Sequence, residues 1–415
     1  MNALASHFRG KTVLVTGHTG FKGGWLATWL KHLGAQVVGF SLAPDQPDFF
    51  KTAEVGSGMM SVLGDVRNPS EIAATCETHA PEVVFHLAAQ SLVRRSYSEP
   101  LTTYATNVMG TVHLLEAVRR TPSVRVVIVV TSDKCYENRE WVYAYRENDP
   151  MGGYDPYSSS KGAAELVTSS YRDSFFSPEG IDRHGVCVAS ARAGNVIGGG
   201  DWGADRLVPD CIRAIAAGQT IPVRNPDSVR PWQHVLEPLS GYLWLAVRMW
   251  QEPARYSGAW NFGPHLQSSV SVHSLVEQLI AECGFGKWEV QKRDDDPHEA
   301  GILRLDCAKA ASLLGWKPVW SVEESVRETV AWYRGFLLDP GFDAPAFTVE
   351  QIERYTRAAR EADVPWARQA DSARRAQGRS PRPRRADQVA APDASSGSTP
   401  DAGTVPSRAI QRRWS

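Results

Sequence analysis

The sequence predicts an α/β protein built on a doubly wound parallel sheet, with a smaller C-terminal lobe that binds substrate. Three observations carry that reading. Short runs that are apolar at every position alternate with helical patterns over the first two thirds of the chain, as in a parallel sheet covered on both faces. A glycine-rich loop follows the first run directly and opens a helix. The chain has 415 residues, 42% of them hydrophobic, enough for a full core in two lobes or one large unit.

The elements follow in order. KTVLVTG is the first strand, entered almost at once from the N-terminus, and GGWLATWLKHLGA the first helix. AQVVGFSL, PEVVFHLAA and VRVVIVVTS are further strands, with TVHLLEAVRR as a helix between the last two. HGVCVASARAGNVIG reads as a sixth strand running into a loop, and AWNFG as a short later strand. From about Asn195 the alternation loosens into loops rich in Gly, Pro, Trp and Arg. Helices such as LVPDCIRAIAAG, EPLSGYLWLAVRMW and SVHSLVEQLIAECG lie between them. SVEESVRETVAWYRGFLL returns apolar residues at helical spacing and reads as the last packed helix of the core.

The expected organisation is therefore a Rossmann-type cofactor domain over 8–194 and a mainly substrate-binding lobe over 195–340. An appended helix follows over 341–366. The remainder, 367–415, is rich in Ala, Arg, Pro and Ser and nearly free of aliphatic residues, so it cannot bury enough apolar area to offset its ordering entropy. It reads as a disordered tail.

A net charge of -1 leaves no electrostatic footprint for nucleic acid or an anionic membrane. No apolar stretch is long enough for a signal-peptide core or a membrane span, which points to the cytoplasm. The six cysteines are scattered without a CxxC pair, so neither a disulfide frame nor a metal site is expected.

Gly17, Gly20 and Gly23 punctuate the first loop, with Thr19, Phe21 and Lys22 between them. Glycines there allow a tight turn, close approach of backbone amides to a pyrophosphate, and packing of helix on sheet; the helix N-terminus favours the negative charge. A chain this long would show such a triplet about 0.1 to 0.2 times by chance, so the strand-loop-helix context is what makes it a dinucleotide site. The second strand ends in Ser41 and Leu42, where an acidic residue would hold the adenosine ribose of NAD. No arginine stands there to clamp a 2'-phosphate, which favours NAD over NADP; Asp45 comes a little late. Asp65, with Val66 beside it, ends the third strand. It reads either as a contact to the adenine amino group or as a helix N-cap.

Tyr157 and Lys161 stand four apart, on one face of a helix. The lysine charge is expected to lower the phenol pKa, so that tyrosinate takes a proton from a hydroxyl while hydride leaves the carbon. Ser132, at the end of the fifth strand, can hydrogen-bond the same hydroxyl.

With TGHTGFKG, HLAAQ, YSSSK and RAGNVIGGGDW in order, the chain resembles the extended short-chain dehydrogenases/reductases over about residues 8 to 340. Within them it is similar to the nucleotide-sugar 4,6-dehydratases. The resemblance implies a cytoplasmic, NAD-dependent lyase acting on a nucleotide sugar in deoxysugar synthesis for polysaccharides such as lipopolysaccharide O-antigen. Oxidation at carbon 4 acidifies the proton on carbon 5; loss of water then needs a base for that proton and an acid for the hydroxyl leaving carbon 6. Where dTDP-glucose dehydratases carry Thr-Asp-Glu, this chain has Ser132-Asp133-Lys134, the form of the CDP-glucose branch, which implies CDP-glucose as substrate. Asp133 is then the acid and Lys134 the base, and a lysine base requires a pKa well below its usual value.

The resemblance also implies cofactor contacts from Leu87, Ala88 and Ala89, with Asn107 fastening a strand end beneath them. Substrate contacts are implied for Gln90, Arg192, Asn195, Arg206, Arg230 and His298, with Glu299 beside it. A structural salt bridge is the competing reading for each arginine, and His86 reads as packed rather than catalytic. The helices holding LLEAVRR and KGAAELVTSSYRDSF have apolar faces suited to a homodimer or homotetramer. Two alternatives remain: an epimerase or reductase of the same fold, in which Asp133 and Lys134 are idle, and a non-catalytic NAD(P)-binding regulator.

Overall fold

A computed structural model describes residues 1–44, 48–265, 270–291 and 301–369. Asp45, His298, Glu299 and residues 370–415 of the expected tail lie outside the described residues.

Seven parallel strands form the central sheet: β1 (Thr12–Thr16), β2 (Gln36–Ser41), β3 (Met60–Leu63), β4 (Val83–His86), β5 (Val126–Val130), β6 (Cys187–Ala193) and β7 (Gly258–Phe262). Their order is β7-β6-β5-β4-β1-β2-β3. The chain reverses direction of travel across the sheet between β1 and β4, and in such sheets the crevice beyond the strand ends at that point takes the ligand. Every position of β5 is buried. Even so, the period of two sends Val126 and Ile128 into one core and Val127 and Val129 into the other.

One face carries α1 (Ala3–Phe8) and α2 (Phe21–His32); the other carries α3 (Pro69–His79), α4 (Gly110–Arg119) and α5 (Pro156–Phe175). The C-terminal part adds α6 (Leu207–Ala216), α7 (Leu236–Gln251), α8 (Val272–Cys283), α9 (Val322–Leu338) and α10 (Ala344–Glu361). Asp155 caps α5 by accepting from the Ser158 amide at 2.9 Å, and Pro156 occupies its first turn, so the helix starts one residue before Tyr157.

Three expectations need correction. The N-terminus forms α1 before the first strand, because Asn2 caps it and Leu4 and Phe8 are buried in the main core. The last packed helix is α10 rather than α9: Ile352, Tyr355 and Ala359 are fully buried, and Trp366 beyond them stacks on Tyr355 at 5.7 Å. The expected substrate lobe is not contiguous either. β7, from inside 195–340, pairs with β6 and completes the sheet, and α7 shares the core with β5 and β6.

Among the described residues no helix is long and apolar enough to cross a membrane. The six cysteines are free, four of them buried.

Candidate active site

At the carboxyl ends of β1, β4 and β5 the sheet opens into a cleft of about 1210 Å³. The glycine loop forms one end of it. Gly17 lies at φ +79, and a Cβ on Gly23 would stand 2.1 Å from the Gly17 carbonyl oxygen, so the turn excludes larger residues at both places. Gly20 caps α2 without any side-chain hydrogen bond, and the first turn holds no acidic residue. These bare amides and the uncapped dipole suit an anionic pyrophosphate. His18 is buried behind the loop, sharing a hydrogen bond with Ser61 at 2.7 Å, while Thr19 and Ser41 hydroxyls lie 2.7 Å apart.

Asp65 and Val66 border the cleft beyond β3. The N-cap of α3 is Asn68, not Asp65. The Asp65 carboxylate instead accepts from the Arg67 side chain and amide at 2.8 and 2.9 Å, and the Arg67 hydrogen bond holds its pKa below the ordinary range. Leu87, Ala88 and Ala89 also line the cleft, with the Ala88 backbone close against Gly17. Beneath them Asn107 accepts from the Gln90 amide at 2.9 Å and donates to the Gln90 carbonyl and the Ser160 hydroxyl. It fastens the end of β4 to α5. His86 is packed, as expected, with its ring 2.7 Å from the Thr16 hydroxyl.

Ser132, Asp133, Lys134, Tyr157 and Lys161 all border this one cleft. Tyr157 and Ser132 share a hydrogen bond, and Ser132 donates to Asp133 Oδ1 at 3.0 Å. Asp133 is 3% exposed, its Oδ2 pressed close to Gly194; a side chain at position 194 would collide with it. Asp133, Lys134 and Cys135 form a single 3₁₀ turn, which turns the dyad toward the cleft instead of extending β5.

The electrostatics depart from expectation. Burial pushes the Tyr157 phenol up to about 12, partly offset by the Ser132 hydrogen bond. Burial also lowers Lys161 to about 8, with Glu165 acting against that shift. Lys161 donates to the Val130 carbonyl at 3.4 Å. In the protein alone, then, desolvation outweighs any activation of tyrosine by lysine. The cation that eases phenol ionisation is Arg206.

The expected substrate residues divide. Asn195, Arg206, Arg230 and Gln90 border the cleft. Arg206 is held by Asp201 at 2.9 Å, and Arg230 donates to the Gly301 carbonyl at 3.0 Å. The Gln90 side chain bonds Thr103 and Leu92. Arg192 is a correction. It is 3% exposed and committed below the cleft, donating to Glu165 at 2.7 Å, the Tyr136 hydroxyl at 2.7 Å and the Glu147 carbonyl at 3.0 Å.

Sequence reasoning missed Glu165 and Tyr136. Glu165 stands four residues after Lys161, as Lys161 does after Tyr157, so the repeat along one face of α5 was the available signal. Its carboxylate accepts from Thr131 and Ser190 as well as Arg192. Among the described residues no cluster of three or more metal-ligating side chains occurs.

Comparison with known proteins gives a consistent picture. The family model for GDP-mannose 4,6-dehydratase matches residues 14–329. The chain is 50% identical over 331 residues to a CDP-glucose 4,6-dehydratase of Salmonella typhimurium strain LT2, covering 80% of this chain and 92% of that protein. It is 26% identical to a UDP-glucose 4-epimerase of Mycolicibacterium smegmatis, covering 77% and 98%. Among solved structures, a dTDP-glucose 4,6-dehydratase of Bacillus anthracis in complex with NAD matches with a TM-score of 0.66 at 22% identity, covering 78% of this chain and 97% of that one.

Proposed function

The chain belongs to the GDP-mannose 4,6-dehydratase family of nucleotide-sugar dehydratases, and on that premise we propose that it dehydrates CDP-glucose to CDP-4-keto-6-deoxyglucose with NAD as cofactor. The product is a precursor of deoxysugars. The observation that carries this reading is one cleft bordered by both an oxidising pair, Tyr157 and Lys161, and an eliminating pair, Asp133 and Lys134.

The glycine loop, Asp65, Val66 and the 87–89 wall would hold NAD. Bound there, NAD supplies the acceptor for the carbon 4 hydride and its return to carbon 6. Tyr157 takes the proton of the carbon 4 hydroxyl, which Ser132 also hydrogen-bonds. Lys161, on the same helix face, borders the same cleft, and Arg206 is the cation that eases ionisation of the phenol. Lys134 removes the carbon 5 proton, made acidic by the neighbouring ketone. Asp133 protonates the carbon 6 hydroxyl, which leaves as water. Lys134 then returns its proton to carbon 5, and the proton taken up by Tyr157 replaces the one that Asp133 gave to the leaving water. Arg206 and Arg230 suit the diphosphate oxygens, and Asn195 the sugar.

The cofactor domain over 8–194 and the substrate lobe over 195–340, with β7 returned to the sheet, divide these tasks. The enzyme works in the cytoplasm as a homodimer or homotetramer. Leu166 and Phe175 on α5, 62% and 45% exposed, support association through that helix.

The test is a panel of CDP-, dTDP-, GDP- and UDP-sugars with NAD, read by mass detection of water loss and by the alkaline absorbance of a 4-keto sugar. Water loss from CDP-glucose above the others is expected. An epimerised product that keeps its carbon 6 hydroxyl would sink the dehydratase reading in favour of an epimerase, and tight cofactor binding without turnover would favour a regulator.

A further inference from the structure

The residue after the eliminating turn is buried. Tyr136 is 1% exposed and stacks on Tyr145 at 5.1 Å. Its phenol sits between two partners: it accepts from Arg192 Nη1 at 2.7 Å and donates to Asn261 Oδ1 at 2.7 Å. Packing alone would be served as well by phenylalanine. The two hydrogen bonds add a fixed depth and rotation for the ring, and through it for the backbone of the turn.

Within its own span the turn is lightly held. Within it the Lys134 amide donates to the Ser132 hydroxyl at 3.2 Å and the Cys135 amide to the Ser132 carbonyl at 3.3 Å, both long. On its far side the backbone is bridged to the 150–152 segment, the Cys135 carbonyl accepting from the Gly152 amide and the Glu137 amide donating to the Pro150 carbonyl, both at 2.9 Å, and the side-chain tie is the Tyr136 hydroxyl. Arg192, which grips that phenol, is anchored on Glu165, and Glu165 lies one helical turn beyond Lys161 on α5. The same buried ion pair therefore supports both halves of the site, but by separate routes. The helix of Tyr157 and Lys161 reaches it directly through Glu165; the turn of Asp133 and Lys134 reaches it through the Tyr136 hydroxyl.

We propose that Tyr136 is a positioning residue for elimination, its hydroxyl setting the Asp133-Lys134 turn against the substrate while leaving the oxidising pair untouched. The proposal rests on the dehydratase reading above. Its signature is an asymmetry. Without the hydroxyl, Arg192 keeps Glu165 and the Glu147 carbonyl, and Glu165 keeps Thr131 and Ser190. The turn loses its side-chain tie to Arg192 and Asn261 and is left with its backbone bridge to 150–152.

Holoenzyme carrying Tyr136→Phe is mixed with CDP-glucose in a single turnover. The near-ultraviolet absorbance of bound reduced cofactor follows oxidation, and mass detection follows water loss. Reduced cofactor should form at nearly the wild-type rate and then accumulate. Water loss should slow by about 10- to 100-fold, the cost of moving a catalytic group by about 1 Å. Thermal unfolding and retained NAD confirm that the variant is folded. If it does not fold, Asn261→Ser, which removes the acceptor on the far side of the phenol, should show the same split. Parallel slowing of both steps, or no slowing of water loss, would overturn the proposal. Failure of the dehydratase reading is told apart because the wild type would then release no water from any nucleotide sugar.

Discussion

Glu165 and Arg192 meet at 2.7 Å with each side chain 4% exposed, so the ion pair lies under the cleft and not in it. Removing one partner of such a pair strands the other charge in a low dielectric and costs about 3–5 kcal/mol. Arg192→Met should therefore lower unfolding free energy by about that amount in urea titrations, with Glu165→Ala similar. An Arg192→Met protein of unchanged stability and raised KM for the nucleotide sugar would return this arginine to the substrate.

Lys134→Met separates the two halves of the chemistry. The 3₁₀ turn keeps its backbone bonds, since the Lys134 amide and not its side chain bonds Ser132. NAD and CDP-glucose should still bind, and water loss should fall by about 10²- to 10⁴-fold, the range for a lost general base. Joint loss of binding and turnover, measured by calorimetry beside the mass assay, would count against Lys134 as the base.

Stability should depend on pH through Lys161, whose pKa burial lowers from 10.5 to about 8. A depressed lysine binds fewer protons folded than unfolded between those values, so its penalty is full below about pH 8 and is relieved as pH rises toward 10.5. Integrated from pH 7.5 to 9.5, the gain is about 2 kcal/mol. Urea titrations at the two pH values, wild type against Lys161→Met, isolate it. Equal pH dependence in both proteins would show that Lys161 is not the source.

The strands and the cofactor loop were legible because their signals are local: an apolar run bounded by turns, or three glycines between strand and helix. That Tyr157, Lys161, Asp133 and Lys134 border one cleft was legible through spacing and family resemblance. What stayed hidden depends on contacts made by folding. Arg192 reads as a ligand until Glu165, 27 residues earlier, is brought beneath it from α5. Tyr136 reads as the residue after a motif until β7 delivers Asn261 to its hydroxyl, across 125 positions. The phenol's upward shift was equally invisible, because burial is a property of the closed core and not of the four-residue spacing to Lys161.

The glycine loop separates two roles that glycine can serve, and a pair of variants tests the division. A Cβ at Gly23 would lie 2.1 Å from the Gly17 carbonyl oxygen, a backbone atom that cannot swing away. One at Gly20 meets only that same carbonyl, at 3.4 Å, and otherwise faces the cleft. Gly23→Ala should then destabilise the cofactor-free protein by about 1–3 kcal/mol, the cost of overpacking. Gly20→Ala should leave it within about 0.5 kcal/mol of wild type, as at an uncrowded position. If the loop holds a pyrophosphate, Gly20→Ala nonetheless weakens NAD, because the new methyl occupies the space in which phosphate oxygens approach the amides of α2. Thermal unfolding with and without NAD reads both effects. A Gly20→Ala protein stabilised by NAD as strongly as wild type would mean that the dinucleotide lies elsewhere in the cleft.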